Sequence, residues 1–426
     1  MENSLGQKQT AEPLFAGKPL ARPSDSSKRG FTFAAAAACL ICCFVTSSVP
    51  IPTMAIWAKT IGLTTGSIAW TVVWYFVGCV VVLVLFARLS NFLGRKPVVL
   101  LSLVLGAAAS WIFSWASDAE TLYVARFLQG LSCGFASSAS MSWLVDNAPP
   151  DKPSLGTSLT AAGPNVGLSI GTIITGLVLE FNVVSPSVLF DATLVLLGLC
   201  AVMAFFGRET IRFGSEALGS VLKPKLALPS RLTRIFLIAA AGFVGTWGLG
   251  SFFQGFSARV SQEVFGEVSP LLAAFTYLLL IVPNATAGLT LGRFDPMRCL
   301  PMVISGFLIA GLAVFGAIHY EMHWVFMASL IAMGMLNGTT CALSFKLLLL
   351  DATLLERAGV ISALYLTAYV GSGLPNLAVG VLAKDASMDA ISCGYIAWMA
   401  VTWIMVTVLI RQMKKHPSPA EALRLR

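Results

Sequence analysis

Residues 121–145 read TLYVARFLQGLSCGFASSASMSWLV, and Arg126 is the only charged residue among them. The stretch exceeds the roughly 20 apolar residues that cross a bilayer as an α-helix. A charge at the bilayer centre costs at least about 2.5–3.5 kcal/mol, so this arginine is expected to face a cavity or a partner. Gln129 and Gly130 beside it favour an interior position. The alternative is a guanidinium that reaches the nearby membrane surface.

Apolar segments of similar length recur along the whole chain. Hydrophobic residues make up 57% of the 426 residues, charged residues make up 11%, and the mean hydropathy is +0.82. Soluble domains are less apolar than this. We therefore predict an all-α polytopic membrane protein, with twelve transmembrane helices arranged as two pseudo-symmetric bundles of six.

The sequence contains none of the patterns that mark common enzymes. It has no nucleophile–base pair, phosphate-binding glycine loop or dinucleotide fingerprint. All nine cysteines fall in apolar segments, where small core residues explain them better than a metal or disulfide framework. We predict no enzymatic activity, no cofactor and no metal.

The position of the basic residues predicts the topology. Twelve spans divide the chain into a disordered tail (1–30), a six-helix bundle (31–207), a central loop (208–234), a second bundle (235–410) and a tail (411–426). Lysine and arginine concentrate on the side of both tails and the central loop, and cytoplasmic loops are normally basic. We predict a multi-pass protein of the cell (inner) membrane with both termini cytoplasmic. The net charge of +8 then needs no nucleic-acid partner.

Two polar motifs recur in the second half at similar offsets. Gln-Gly at 129–130 returns as Asn-Gly at 337–338, and Pro-Asn at 164–165 returns as Pro-Asn at 375–376. Motifs repeated in the same order indicate two parallel repeats about an axis normal to the membrane, an arrangement used for alternating access.

Three motifs resemble those of the major facilitator superfamily of secondary transporters, and the likeness covers nearly the whole chain after residue 30. Residues 126–130 match that family's R-x-x-Q-G pattern in full, and residues 163–167 resemble the G-P-x-x-G pattern of its antiporters. The link at 87–96 resembles its G-x-L-x-D-R-x-G-R-K signature. The positions that agree are Gly94, Arg95 and Lys96, and those that differ are Ala87, Asn91 and Phe92.

The resemblance implies a conformational gate. In the family this link forms a charge relay that latches the outward-facing state, so Arg95 is expected to pair with Asp146. The alternative is that Arg95 and Lys96 only set the orientation in the membrane. The predicted gate residues are Asn91, Gly94, Arg95, Lys96, Asp146, Gly163, Pro164 and Gly167.

No carboxylate lies in the middle of a predicted span, so proton coupling would use Asp191 or Glu180 near the span ends. One of these acids is expected to approach Arg126, because a buried guanidinium is best stabilised by a carboxylate. The predicted coupling residues are Arg126, Gln129, Gly130, Asp191 and Glu180.

A pocket for small molecules needs apolar walls and a few polar groups. The cavity candidates are Trp74, Tyr75, Asn165, Trp247, Gln254, Tyr277, Asn337, Tyr365, Tyr369 and Asn376. The leading hypothesis is a monomeric, proton-linked exporter of small amphipathic molecules or drugs, working in the lipid bilayer. The alternatives are a facilitator or importer of a neutral metabolite such as a sugar, and a membrane sensor or scaffold without transport.

Overall fold

The computed structural model describes residues 26–86, 88–152, 154–211, 228–291, 294–353, 357–382 and 386–415. These residues are almost entirely helical and contain no β-strand. Most of the predicted N-terminal tail, most of the central loop and residues 416–426 lie outside the described ranges.

The described helices form twelve spans, α1 to α12. Two of them are interrupted: α1 comprises Ser26–Ser48 and Pro50–Thr60, and α4 comprises Ala119–Phe135, a π-helical turn Ala136–Ser140 and Met141–Asp146. The others are α2 (Thr65–Val81, continued by the π-helical turn Val82–Phe86), α3 (Arg95–Ser114), α5 (Ser154–Glu180), α6 (Pro186–Phe206), α7 (Thr233–Phe265), α8 (Pro270–Leu291), α9 (Pro296–His319), α10 (His323–Asp351), α11 (Arg357–Leu382) and α12 (Met388–Lys415).

These bounds extend several spans beyond their predicted ends. α1 begins inside the stretch predicted as a tail, α7 begins before residue 235, and α12 continues past residue 410. Polar and basic residues at helix ends reach the headgroup region, so hydropathy alone underestimates helix length.

Ten of the twelve spans are long and apolar enough to cross a membrane. α4 and α11 fall outside that set. α4 carries Arg126, Gln129 and several serines, and α11 carries Ser372 and Asn376, so these helices depend on protein neighbours rather than lipid. The predicted all-α membrane architecture is confirmed.

The helices pack as two equivalent bundles. In the first, α1 packs on α5, α2 on α4, α3 on α4, and α3 on α6. In the second, α7 packs on α11, α8 on α10, α9 on α10, and α9 on α12. The order of contacts is the same, as the recurring motifs predict.

The repeated glycines explain one of these equivalences. A Cβ atom on Gly130 would collide with the carbonyl oxygen of Tyr75 in α2, and one on Gly338 would collide with that of Asn284 in α8. Glycine therefore permits the same close backbone approach of α4 to α2 and of α10 to α8.

The two bundles meet through α2 with α11 and α5 with α8. We call the side with Ser26 and Lys415 the terminal face, and the side with the α1–α2, α5–α6 and α7–α8 links the distal face. Three close approaches between the bundles lie near the distal face: Gly176 approaches Ala274, Gly255 approaches Val72, and Gly380 lies against the Trp70 ring.

Candidate functional site

A break in α1 determines the surroundings of Arg126. Pro50 has no N–H, so the carbonyl oxygen of Thr46 loses its helical donor. The side-chain Nε2 of Gln129 donates to that oxygen at 3.0 Å. Arg126 Nη1 donates to the next carbonyl, that of Ser47, at 3.3 Å, and to Gln129 Oε1 at 2.9 Å. Side chains of α4 therefore supply the donors that the break in α1 leaves missing.

Arg126 lies inside the protein and not at the membrane surface. Its side chain is 1% exposed, and within the described part of the chain its Nε and Nη2 donate no hydrogen bond. The segment of α1 that follows its break, Pro50–Thr60, packs on α7 and α8 of the second bundle. The guanidinium thus lies next to a segment through which the first bundle meets the second.

The expected approach of Glu180 or Asp191 to Arg126 is wrong for this conformation. Glu180 accepts hydrogen bonds from Ser269 Oγ at 2.6 Å and from the N–H of Leu271 at 3.2 Å, at the start of α8. Asp191 is exposed on α6. The partners of Arg126 are instead the Gln129 side-chain oxygen and the Ser47 carbonyl, which lies at the C-terminal end of a helix segment, where the helix dipole favours a cation.

The second bundle repeats this arrangement without the charge. Asn337 Nδ2 points to the carbonyl of Thr246 in α7 at 3.5 Å, as Gln129 does to Thr46. Arg126 lies four residues before Gly130, and the equivalent residue, four before Gly338, is Gly334. At the position equivalent to Arg126, the second bundle therefore has a glycine and no charge.

Three of the predicted cavity residues form one aromatic cluster. The Trp247 ring lies 5.8 Å from that of Tyr365 and 5.3 Å from that of Tyr369, and all three side chains are half-buried. The Tyr369 ring also lies 5.9 Å from that of Phe76 in the first bundle, and the Phe76 ring lies 5.4 Å from that of Tyr75. We call Trp247, Tyr365 and Tyr369 the aromatic cluster; it extends from α7 and α11 towards Tyr75 and Arg126.

The remaining candidates are more dispersed. Asn376 is fully buried and donates to Ser251 Oγ at 2.8 Å, Gln254 is buried in α7, and Asn165 is half-buried in α5. Trp74 is 37% exposed and packs edge-on against Phe127. It lines a lateral cleft of about 420 Å³ with Trp70 and Tyr123, apart from the aromatic cluster. Position along a span does not reveal which way a tryptophan faces.

On the terminal face, Arg95 forms the expected ion pair. Its Nε lies 3.1 Å from Asp146 Oδ2, and its Nη1 donates to Asn91 Oδ1 at 2.6 Å and to Ser90 Oγ at 2.9 Å. The amide oxygen of Asn91 thus still accepts from Arg95, although it lacks the charge of the family's aspartate.

Glu209 supplies a carboxylate that sequence reasoning missed. It accepts from the N–H groups of Arg95 and Lys96, both at 2.9 Å, and so caps the start of α3. Gly94 precedes them with φ +100°, and a Cβ there would lie 2.5 Å from Glu209 Oε2. The only hint in the sequence was an acid just after the last apolar residues of α6.

Gly163 and Gly167, spaced by four residues, form a ridge on α5 that packs against α1. A Cβ on Gly163 would lie 2.9 Å from Leu40 Cδ2, and one on Gly167 would lie 2.5 Å from the carbonyl oxygen of Ile41. Pro164 lies within the same helix. The ridge thus holds α5 against the helix that contains the Pro50 break.

Two polar contacts join the bundles at the distal face, and we call them together the distal clamp. One is the bonding of Glu180 to Ser269 and Leu271. In the other, Arg259 of α7 donates to Thr65 Oγ1 at the start of α2, and to the carbonyl of Ala386 at 3.4 Å. Arg259 was not among the predicted site residues.

The start of α4 is fixed outside the membrane. Asp118 accepts from the N–H of Thr121 at 2.8 Å and from its hydroxyl at 2.9 Å. These bonds favour the charged carboxylate and lower the pKa of Asp118 below its ordinary value. The cap sets where α4 begins and hence how deep Arg126 lies.

Comparisons with known proteins were made for both sequence and structure. The sequence model described as Major Facilitator Superfamily matches residues 36–375. No curated protein sequence matches the chain. A mutant of the nucleoside transporter NupG superposes with a TM-score of 0.70 at 10% identity, covering 89% of this chain and 99% of its own. A bacterial homolog of the human lysosomal transporter Spinster, inward-facing and unoccupied, gives a TM-score of 0.67 at 15% identity, covering 92% and 99%. At such identities these structures show the shared fold.

Proposed function

This chain belongs to the Major Facilitator Superfamily and is a multi-pass membrane transporter. On that premise we propose that it exports small amphipathic molecules by alternating access and that protons are the coupling ion. The single observation that carries the proposal is the placement of the bundle contacts. The distal clamp joins the bundles at one face, whereas the Arg95–Asp146 pair lies within the first bundle. Release of the distal clamp would let the bundles rock about the site between them.

The aromatic cluster supports an amphipathic substrate. Its rings supply a flat apolar surface between the bundles, and the Tyr365 and Tyr369 hydroxyls add polar groups, the usual composition of a small-molecule pocket. Asn337 lies on the neighbouring α10. A molecule with one apolar face and a few polar atoms fits this chemistry best.

Glu180 supports coupling to protons through the distal clamp rather than through Arg126. As a carboxylate it accepts two hydrogen bonds from the other bundle, and protonation would remove the charge that strengthens them. Proton binding would then favour opening at the distal face.

One observation favours a second candidate function. Among the described side chains no acid pairs with Arg126, so a facilitator or importer of a neutral metabolite without proton coupling is the alternative. NupG is by its name a nucleoside transporter, which is in keeping with import of a polar metabolite. A scaffold without transport is the third possibility.

Flux into proteoliposomes distinguishes these functions. We expect a panel of amphipathic compounds to accumulate only in vesicles that contain the protein, and a pH jump to change the rate. A flux rate that does not depend on the pH gradient would favour the facilitator hypothesis. Absence of flux for the whole panel would favour the scaffold hypothesis.

We place the terminal face in the cytoplasm of the cell membrane, because the basic residues concentrate there. A small tag inserted at Gly266, in the α7–α8 link, should then be labelled from outside intact cells, and one added after Arg426 should not. The reverse pattern would place the terminal face outside the cell and contradict this orientation.

A further inference from the structure

Arg126 has unused hydrogen-bonding capacity near the interface between the bundles. Nη1 is occupied by Ser47 and Gln129, whereas Nε and Nη2 have no acceptor among the described residues. These two nitrogens lie on one edge of the guanidinium, where paired N–H groups bind both oxygens of a carboxylate.

The charge of Arg126 is only partly balanced by the protein. The Ser47 carbonyl and the Gln129 amide oxygen supply partial negative charge, but no carboxylate among the described side chains forms an ion pair with Arg126. A buried charge without a paired counter-charge is costly in a low-dielectric interior. The electrostatic potential at the site therefore favours binding of an anion and disfavours binding of a cation.

We propose that Arg126 is an oxyanion subsite, and that the substrates of this transporter are organic anions bearing a carboxylate. The inference deepens the proposed transport function and rests on it. Ser47, whose carbonyl accepts from Arg126, has a hydroxyl with no hydrogen-bond partner among the described residues. A carboxylate bound at Arg126 would have this second donor beside it, next to the segment of α1 (Pro50–Thr60) that packs on α7 and α8 of the other bundle.

The aromatic cluster is positioned to bind the apolar group of a substrate whose carboxylate binds Arg126. Its Tyr369 contacts Phe76, the neighbour of Tyr75 in α2, and the Tyr75 carbonyl packs against Gly130, one helical turn from Arg126. A carboxylate at Arg126 would therefore direct an attached apolar group towards Trp247. This places the acid group near the distal end of the site and the apolar group nearer the terminal face.

Matched acid and amide pairs test the subsite directly. Binding of phenylacetate, hexanoate and lactate to the purified protein is compared with that of phenylacetamide, hexanamide and lactamide, through the ligand-induced rise in the thermal unfolding midpoint. We expect at least one acid to bind about tenfold more tightly than its amide, because charge-assisted hydrogen bonds are the stronger kind. Equal binding of every pair, or binding of no acid, would overturn the proposal.

Variants of Arg126 test whether this residue causes the preference for the acid over the amide. Arg126→Gln should abolish the preference for the acid, and Arg126→Lys should weaken it, because a point charge replaces a planar fork. Arg298→Gln is the matched control, since Arg298 is exposed on the surface near the start of α9, and it should retain the preference. An unchanged preference in Arg126→Gln would also overturn the proposal. If Arg126→Gln fails to fold, the wild-type comparison still decides.

Transport measurements distinguish failure of the oxyanion subsite from failure of the proposed transport function. Flux of the same labelled pairs is followed in proteoliposomes. If amides bind and cross as readily as acids, the subsite fails and transport stands. If acids bind selectively but no compound of any charge crosses, the proposed transport fails and the subsite stands.

Discussion

The side-chain amide of Gln129 donates to the carbonyl oxygen of Thr46, the oxygen that Pro50 deprives of its helical donor. A residue of α4 therefore completes the hydrogen bonding of a broken α1. The same side chain accepts from Arg126, so the break, the glutamine and the buried cation form one unit. Satisfying such groups matters most where no water competes.

Gln129→Leu is expected to destabilise the protein through this unit. It leaves the Thr46 carbonyl and one Arg126 donor unsatisfied, at a cost of about 2 kcal/mol or more in unfolding free energy. Adding Pro50→Ala restores the N–H that Thr46 lost, so the double variant should lose less than the sum of the single losses. Denaturant unfolding in micelles measures both. Asn337→Leu is the control, with a smaller loss, because its bond to Thr246 is long at 3.5 Å.

The ion pair of Arg95 and Asp146 should show coupling when both partners are changed. Arg95→Gln and Asp146→Asn are each expected to slow the transport cycle, and the double variant should be slowed less than the two effects multiplied. The stability effect should be at most about 1 kcal/mol, because the side chains are 12% and 32% exposed. Turnover in proteoliposomes gives the cycle rate. If the effects of the two substitutions simply multiply, these charges only set the orientation of the protein in the membrane.

Glu209→Ala is expected to loosen the start of α3, because two N–H groups lose their acceptor. Loss of a cap costs about 1 kcal/mol, which should appear as a lower unfolding midpoint. Glu267→Ala removes an exposed acid of the same kind in the α7–α8 link and should leave the midpoint unchanged. Equal midpoints for the two variants would show that the contact does not contribute.

The sequence predicted those features that depend on one helix or on neighbouring links. The interior position of Arg126 follows from its place in an apolar span, and the Arg95–Asp146 pair follows from a recognisable motif. Each is decided by local pattern and the solvent properties of the bilayer.

Features that depend on how the helices turn towards one another were not predictable. Asp191 lies at the right depth to meet Arg126, but α6 presents it to the exterior. The partners of Arg126 are uncharged, namely the Ser47 carbonyl and the Gln129 side chain, so the matching of opposite charges does not predict them. Glu209 caps α3 from more than a hundred residues away in the chain, so no spacing rule indicates it.

Gly167→Leu is expected to impair transport, because its side chain would collide with the Ile41 carbonyl and the Phe44 Cβ atom of α1. Overpacking of this kind costs about 1–3 kcal/mol. Gly198→Leu is the matched control, since a Cβ atom on Gly198 of α6 meets nothing within 4 Å. Surface expression and flux should separate the two variants. Normal flux by Gly167→Leu would mean that α5 moves away from α1 during the cycle.

Glu180→Gln should uncouple transport from the pH gradient without abolishing it. The amide resembles a permanently protonated acid: its oxygen still accepts from Ser269 or Leu271, but without the charge that strengthens the distal clamp. Flux down a substrate gradient should therefore persist, while accumulation driven by a pH jump is lost. Asp191→Asn changes the other predicted acid, which is exposed, and should keep the response to pH. If Glu180→Gln still responds to the pH jump as the wild type does, protons do not act through the distal clamp, and the facilitator without proton coupling becomes the better description.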